Sequence, residues 1–257
     1  MKKNLRDYGG NLVSNLVLGQ NSQTFFAKKP YIYFISEIQD TEVIAVNNLK
    51  YGSIYLLEKA NNVKIDVNES LINHMNVGDC IQTQDIEIEI KISDGPAKFL
   101  IAGIEGSLDS SFKKIILNKK DDLYKVNKPW GYEIWINGEH PAYAFKKIFI
   151  KKTNKTSLQY HNFKQETNVL FEGTANLHYK TNNKKRNEDV SNEDIGLVNL
   201  KGISSIDVKP PTLHRIEAIT DIVLFEISTP HLDDVIRVND DTSRPDGRID
   251  KEHKIDQ

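Results

Sequence analysis

Short runs of alternating apolar and polar residues recur along the chain at intervals of about ten residues. The runs are rich in β-branched and aromatic residues and are separated by Gly, Asn and Asp, which is typical of strands joined by turns. This pattern predicts strands at 31–35, 41–46, 53–57, 85–92, 98–102, 144–150, 169–173, 175–179 and 222–227. The sequence therefore predicts an all-β protein built as a sandwich or jelly roll.

Polar stretches divide this pattern of strands. The charged segment 118–128 separates two groups of strands and predicts a first domain at 1–122 and a second at 123–257. Segment 180–194 interrupts the second group, so we expect a long surface loop there. The charged, strand-poor segment from Asn239 onward predicts a tail that lies over the second domain.

Composition narrows the classes of partner. The 34 Lys and Arg residues nearly balance the 36 Asp and Glu residues, which leaves a net charge of -2. No global field attracts nucleic acid or an anionic membrane, so we expect a small polar ligand. The sequence contains neither an apolar signal segment nor a run of ~20 apolar residues, and we expect a cytoplasmic protein. Its one cysteine, Cys80, predicts a buried small side chain and excludes an internal disulfide.

Residues 153–173, TNKTSLQYHNFKQETNVLFEG, carry the candidate chemistry. In an extended strand, Gln159 and His161 point to the same face because they lie two positions apart. Glu166 follows after a turn, and His214 can add a fourth donor from a distant strand. Two imidazoles, an amide oxygen and a carboxylate suit zinc, iron, manganese, cobalt or nickel. Such side chains are also often solvated or hydrogen-bonded, so the residues alone leave both interpretations open.

The same segment resembles the first motif of the cupin superfamily. The motif positions are occupied by Thr153, Gln159, His161, Glu166 and Gly173. The Gln-any-His form is typical of the C-terminal cupin domain of type II mannose-6-phosphate isomerases. KPWGYE at 128–133, LHRIE at 213–217 and LDDVIRVNDDTSR at 232–244 resemble further parts of that domain in the same order. The resemblance covers residues 123–245.

The resemblance implies a bicupin whose second domain holds a divalent metal, with zinc as the first candidate, on Gln159, His161, Glu166 and His214. It also implies a metal-dependent isomerase that interconverts an aldose and a ketose, with a sugar or sugar phosphate of carbohydrate metabolism as substrate. Glu217 is the nearest unassigned acid to His214 and is the candidate proton carrier. The other candidate residues are Arg244 for catalysis, Arg215, Arg237 and Lys164 for substrate binding, and Asp234 and Asp240 for positioning the arginines.

Departures from the family pattern keep other functions open. Lys164 and Asn168 stand where the family has Arg and Trp, so the sugar is unassigned. The alternatives are a sugar epimerase or iron oxygenase on the same barrel, and a sugar-binding bicupin without turnover. A homodimer is a possible assembly.

The N-terminal half lacks a comparable set of donors. Its single histidine is His74, and no His or Gln pair precedes a Glu at motif spacing. Residues 76–106 nevertheless resemble the back half of a cupin barrel. We therefore expect a degenerate, structural first cupin domain, with an unrelated β domain as the alternative. Trp130 and Trp135, at the start of the second domain, are expected to be core aromatics.

Overall fold

The computed structural model describes residues 13–15, 24–26, 30–41, 43–46, 49–61, 63–68, 70–71, 75–138, 140–180 and 195–253. These residues form 22 β-strands and three short 3-10 helices, at Ser110–Phe112, Lys120–Asp122 and Asp250–His253. No helix in this part of the chain is long and apolar enough to cross a membrane. The prediction of an all-β protein is confirmed.

The strands are, in chain order, β1 (Val13–Asn15), β2 (Thr24–Phe26), β3 (Ile32–Ile38), β4 (Val43–Val46), β5 (Leu49–Lys59), β6 (Lys64–Val67), β7 (Ser70–Leu71), β8 (Cys80–Gln84), β9 (Ile88–Ser93), β10 (Ala97–Glu105), β11 (Lys114–Asn118), β12 (Tyr124–Lys128), β13 (Gly131–Asn137), β14 (Ala144–Ile150), β15 (Leu158–Tyr160), β16 (Glu166–Glu172), β17 (Thr174–Lys180), β18 (Gly196–Lys201), β19 (Ser204–Val208), β20 (Leu213–Ala218), β21 (Ile222–Ser228) and β22 (Ile236–Asn239). They divide between two compact units. The first unit contains β2 to β11, and the second contains β1 together with β12 to β22. The division after Leu123 lies inside the charged segment 118–128.

The first unit consists of two antiparallel sheets with strand orders β11-β8-β5-β10-β3-β2 and β4-β9-β6-β7. Ile54 and Phe99 of the larger sheet belong to the same buried cluster as Ile65 and Ile90 of the smaller one. All members of this cluster are apolar, so the inward faces of the two sheets form a packed core. Cys80 is buried, as expected. His74 lies outside the described residues.

The second unit also consists of two antiparallel sheets, with strand orders β1-β19-β16-β21-β14-β13-β12 and β18-β17-β20-β15-β22. An apolar cluster again joins the two sheets, with Leu170 and Leu224 from one and Leu177 and Ile216 from the other. The second unit also has a polar region between its sheets, and the candidate site lies there.

Strand β1 comes from the start of the chain but completes the larger sheet of the second unit. Val13 to Asn15 pair antiparallel with Ile206 to Ser204 of β19. β19 in turn pairs with β16, the strand that begins at Glu166. The N-terminal segment is therefore one strand removed from a predicted metal ligand.

The turn between β16 and β17 depends on Gly173. Its φ angle is +87°, and a Cβ atom at this position would lie 2.3 Å from the carbonyl oxygen of Asp221. Both the backbone conformation and the close approach favour glycine. The motif glycine therefore has a structural role at the end of the strand that begins at Glu166.

The end of the described chain packs against β12 of the second unit. Lys128 donates a hydrogen bond of 2.8 Å to Glu252, and the hydroxyl group of Tyr124 donates one of 2.9 Å to the carbonyl oxygen of His253. The predicted loop at 180–194 lies outside the described residues, except for Lys180 at the end of β17.

Candidate metal centre

Strand pairing brings the sequence-predicted donors together. On β15, Gln159 is the direct partner of His214 on one neighbouring strand and of Arg237 on the other. Directly paired residues of antiparallel strands point to the same face of the sheet. Gln159, His214 and Arg237 all line the cavity between the sheets of this unit.

Asp234 fixes the turn that carries His161. Its carboxylate accepts hydrogen bonds from the backbone N–H groups of Asn162, Phe163 and Lys164, at 3.0, 2.6 and 2.9 Å. Its backbone carbonyl oxygen also contacts Nδ1 of His161 within hydrogen-bonding distance. Asp234 therefore positions a predicted ligand rather than an arginine, which corrects the role expected from the sequence.

His161, Glu166 and His214 form a compact buried group, here called the His-Glu-His cluster. One possible ligand atom from each side chain lies within 4.8 Å of the others. Nε2 of His161 is 3.4 Å from Glu166 Oε2, and Nε2 of His214 is 3.2 Å from Glu166 Oε1. All three residues are at most 3% exposed. Within the described residues, this is the one group of at least three His, Cys, Asp or Glu side chains arranged to hold a metal ion.

In each of the two imidazole rings, Nδ1 has a hydrogen-bond partner and Nε2 has none among the described residues. Nδ1 of His161 faces the carbonyl oxygen of Asp234, and Nδ1 of His214 lies 3.1 Å from that of Thr212. Because a carbonyl oxygen only accepts, each Nδ1 carries the hydrogen. In a neutral imidazole, Nε2 then directs a lone pair towards Glu166. Both Nε2 atoms are buried and have no hydrogen-bond partner among the described residues.

These orphaned atoms fit a metal ion. Two lone pairs and a carboxylate converge on one point, and a cation there would satisfy all three groups. The backbone contacts at Nδ1 are the kind that orient metal-binding histidines. Gln159 adds an amide oxygen beside His214, and that oxygen accepts a hydrogen bond of 2.6 Å from Ser157. In a cluster held by hydrogen bonds alone, the two buried Nε2 atoms would have hydrogen-bond partners. Here they have none among the described residues, so the donor set fits a metal ion.

Lys164 lies against the cluster and compensates its negative charge. Its Nζ donates to Glu166 Oε2 at 2.5 Å and to Glu226 Oε1 at 2.9 Å. Burial acts to raise the pKa of Glu166, but the ammonium group of Lys164 outweighs it and holds that pKa well below its usual value. The side-chain amide of Asn168 donates a hydrogen bond of 2.9 Å to Glu166 Oε1. Glu166 is therefore an ionised carboxylate, the form that binds metals.

The cavity that opens from the cluster has a volume of about 100 Å³ and a highly charged lining. Its cationic residues are Lys128, Lys146, Lys164, Arg237, Arg244 and Arg248. Its acidic residues, within the described part of the chain, are Glu133, Glu166 and Glu226. Cationic side chains outnumber acidic ones around this space, so the cavity suits an anionic ligand.

Glu133 organises the side of the cavity away from the cluster. Its carboxylate accepts a hydrogen bond of 2.9 Å from the Trp135 indole and lies 3.7 Å from both Lys128 and Lys146. Burial acts to raise the pKa of Glu133, but Lys146, Lys128 and Trp135 outweigh it and lower the pKa to about 2. Lys146 also lies over the Trp135 ring, 4.7 Å from its centroid. Trp135 is thus part of the cavity wall as well as buried, and so is Trp130.

The two arginines matched to the C-terminal motif both line the cavity. Arg244 is held by Asp240, with contacts of 2.7 and 3.1 Å, and by Glu252 at 3.2 Å. Arg237 donates to the carbonyl oxygens of Pro245 and Gly247, and its Nε is buried without a hydrogen-bond partner among the described residues. Asp240 therefore does position an arginine, while Arg237 keeps an unused donor.

Arg215 and Glu217 do not join this group. They alternate along β20 with His214 and Ile216, both of which line the cavity, so their side chains project from the opposite face. Arg215 donates to Asn239 at 2.8 and 2.9 Å, and Glu217 lies 2.9 Å from His178. Their positions therefore do not support the catalytic and substrate-binding roles expected from the sequence.

Sequence reasoning missed Lys146 and Glu226, which face each other across β14 and β21 and line the cavity. The alternation of residues along these two strands could have revealed both side chains. Lys146 shares the inward phase of β14 with Ala144 and Ile148, and Glu226 shares that of β21 with Leu224 and Ser228. Charged residues at inward positions of otherwise apolar strands mark a functional cavity.

No family model and no curated protein matches this sequence. Solved structures do match its fold. An IolB-like protein from Salmonella typhimurium has a TM-score of 0.62 and 11% identity over 88% of this chain and 96% of that one. An oxalate decarboxylase from Bacillus subtilis with Mn(II) centres has a TM-score of 0.55 and 10% identity, over 81% and 71%. The salicylate 1,2-dioxygenase from Pseudaminobacter salicylatoxidans has a TM-score of 0.53 and 12% identity, over 78% and 71%.

At these identities the likeness concerns the fold alone. The matches extend over both units, and each unit is a pair of antiparallel sheets around its own core. The chain therefore has a bicupin fold, with two jelly-roll units.

Proposed function

We propose that the second unit is a metal-dependent isomerase that interconverts an aldose and a ketose, with a phosphorylated sugar of the mannose or fructose type as substrate. The observation that carries this proposal is the pair of orphaned Nε2 atoms directed at Glu166 inside a cationic cavity. The substrate class comes from the resemblance of residues 123–245 to the cupin domain of type II mannose-6-phosphate isomerases.

In this proposal His161, Glu166 and His214 hold a divalent metal, and the amide oxygen of Gln159 completes the set. Zinc is our first candidate, and iron, manganese, cobalt and nickel suit the same donors. The Mn(II) centres of the Bacillus subtilis oxalate decarboxylase occur on the same fold. A bound divalent metal supplies a Lewis acid that polarises the carbonyl and hydroxyl oxygens of a sugar and stabilises charge that develops on them.

The protein's own residues provide the anion site. Arg237 is aligned with Gln159 across two paired strands and has a buried, unused Nε donor. A guanidinium in this position can bind a phosphate or carboxylate at the far end of a substrate. Arg244 is already bound by Asp240 and Glu252, so its role is to shape the cavity. Lys164 is buried between two carboxylates and keeps Glu166 in place, rather than binding the substrate.

The proposal is tested by loading metal-free protein with each of the five metals and incubating it with sugar phosphates and free sugars in deuterated water. Isomerisation requires exchange of the hydrogen on the carbon next to the carbonyl, together with formation of the partner sugar. Both should disappear on addition of a chelator and in a H161A variant. Oxygen uptake would instead identify an oxygenase, and saturable sugar binding without exchange would identify a binding protein.

A further inference from the structure

Glu226 is a buried carboxylate that the proposed metal and anion sites leave without a role. It lies on β21, is 8% exposed and lines the cavity. Its Oε1 accepts a hydrogen bond of 2.9 Å from Lys164, the same ammonium group that donates to Glu166. A single ammonium group therefore separates Glu226 from the His-Glu-His cluster.

Strand register fixes the direction of this side chain. Glu226 pairs directly with Asn168 of β16 and with Lys146 of β14, and all three residues line the cavity. Asn168 is two residues from Glu166 on the same strand, so the two residues share a face. Glu226 is therefore the diagonal cross-strand neighbour of the metal-binding carboxylate, within reach of the same ligand.

The other acids near the site are unsuited to accept a proton from a substrate. Glu166 faces two imidazoles as a ligand. Glu133 is held by Trp135 on the side of the cavity away from the His-Glu-His cluster, whereas Glu226 shares the ammonium group of Lys164 with Glu166. Glu217 projects from the opposite face of its sheet. Among the described acidic residues that line the cavity, Glu226 alone remains for proton transfer.

We propose that Glu226 is the proton carrier of the isomerisation, an inference that rests on the proposed function. The C–H bond at carbon 2 of the aldose breaks, and its proton goes to the Glu226 carboxylate. The electron pair of that bond forms the double bond between carbons 1 and 2, while the carbonyl π pair moves to oxygen 1. Next, the hydroxyl proton of oxygen 2 passes to oxygen 1. The proton on Glu226 then returns to carbon 1, and oxygen 2 becomes the carbonyl of the ketose.

The test compares the wild type with E226Q, E226D and the matched control E217Q, which alters an acid on the opposite face. Metal content, deuterium exchange, kcat and KM are measured on the same preparations. E226Q should keep one metal per chain and an unchanged KM but lose exchange and kcat by about 10²-fold or more. E226D keeps the charge beside Lys164 and should lose about tenfold, because the shorter side chain withdraws the base. E217Q should match the wild type.

The outcomes separate this inference from the function on which it rests. An active wild type with an E226Q variant within a few-fold of its kcat overturns the role of Glu226 and leaves the isomerase proposal standing. If E226Q does not fold, an E226D variant with wild-type kcat overturns it in the same way. A wild type that holds metal but exchanges no sugar overturns the isomerase proposal, and the role of Glu226 falls with it.

Discussion

The buried carboxylate of Glu133 makes the free energy of unfolding of the second unit depend on pH, and the size of the effect can be calculated. Its side chain is 12% exposed and lies near Lys128 and Lys146. Its pKa is lowered from the ordinary 4.5 to about 2, against the effect of burial, by those lysines and Trp135. Each unit of difference between the pKa of Glu133 in the folded chain and in the unfolded chain corresponds to ~1.4 kcal/mol. The ionised form of Glu133 therefore stabilises the folded chain by about 3 kcal/mol.

The sign of this dependence follows from which state binds the proton first. Between pH 4.5 and pH 2 the unfolded chain protonates Glu133 while the folded chain does not. Acid therefore favours unfolding in that window, and the contribution is complete above pH ~5. It should fall to about 1 kcal/mol at pH 3 and vanish near pH 2.

An E133Q variant measures this contribution directly. Urea unfolding of wild type and variant should be followed at pH 7, 5, 4 and 3 by tryptophan fluorescence. Trp130 and Trp135 are the only two tryptophans in the sequence, and both lie in the second unit, so the signal reports its unfolding. E133Q should be less stable by about 3 kcal/mol at pH 7, and the difference should shrink as the pH falls. E172Q, at an exposed position, should differ by less than ~0.5 kcal/mol throughout. A difference for E133Q that stays constant from pH 7 to pH 3 would refute the reasoning.

Replacing either histidine of the His-Glu-His cluster with Ala should weaken metal binding by more than about 100-fold, measured by titration, whereas H178A should keep one metal per chain. K164M leaves two buried carboxylates without their ammonium group. It should destabilise the metal-free protein by ~3–5 kcal/mol in urea unfolding, with a smaller loss when metal is bound. G173A should lower the melting temperature more than G202A, because both glycines have positive φ but a Cβ at 202 meets nothing within 4 Å.

Alternation along each strand carried most of what the sequence could predict. The placement of Gln159 and His161 near Glu166 followed from a period of two and from motif spacing, and the structure brings these residues together with His214. The same rule, applied from His214, places Glu217 on the outer face. Its nearness along the chain was therefore a poor guide to its position in space.

Other features depend on pairings that lie far apart along the chain. Arg237 is adjacent to Gln159 because β22 pairs with β15, and Glu226 faces Lys146 because β21 pairs with β14. No local pattern reveals which strands become neighbours, since register is set by packing of the whole sheet. The strands β11 and β12 were missed for a different reason: they extend into the polar segment 118–128, where partly exposed strands carry charged residues.

The strand at Val13–Asn15 means that the second unit, which contains the His-Glu-His cluster, is not one continuous segment of the chain. A fragment that begins at Tyr124 would leave β19 as a free edge, beside the strand that bears Glu166. Free edges pair with whatever strand is available, so such a fragment is prone to self-association. A peptide that spans residues 10–16 could fill the gap from outside by strand addition. The two units can therefore be separated only by cutting the chain in more than one place, because residues 10–16 must stay with the second unit.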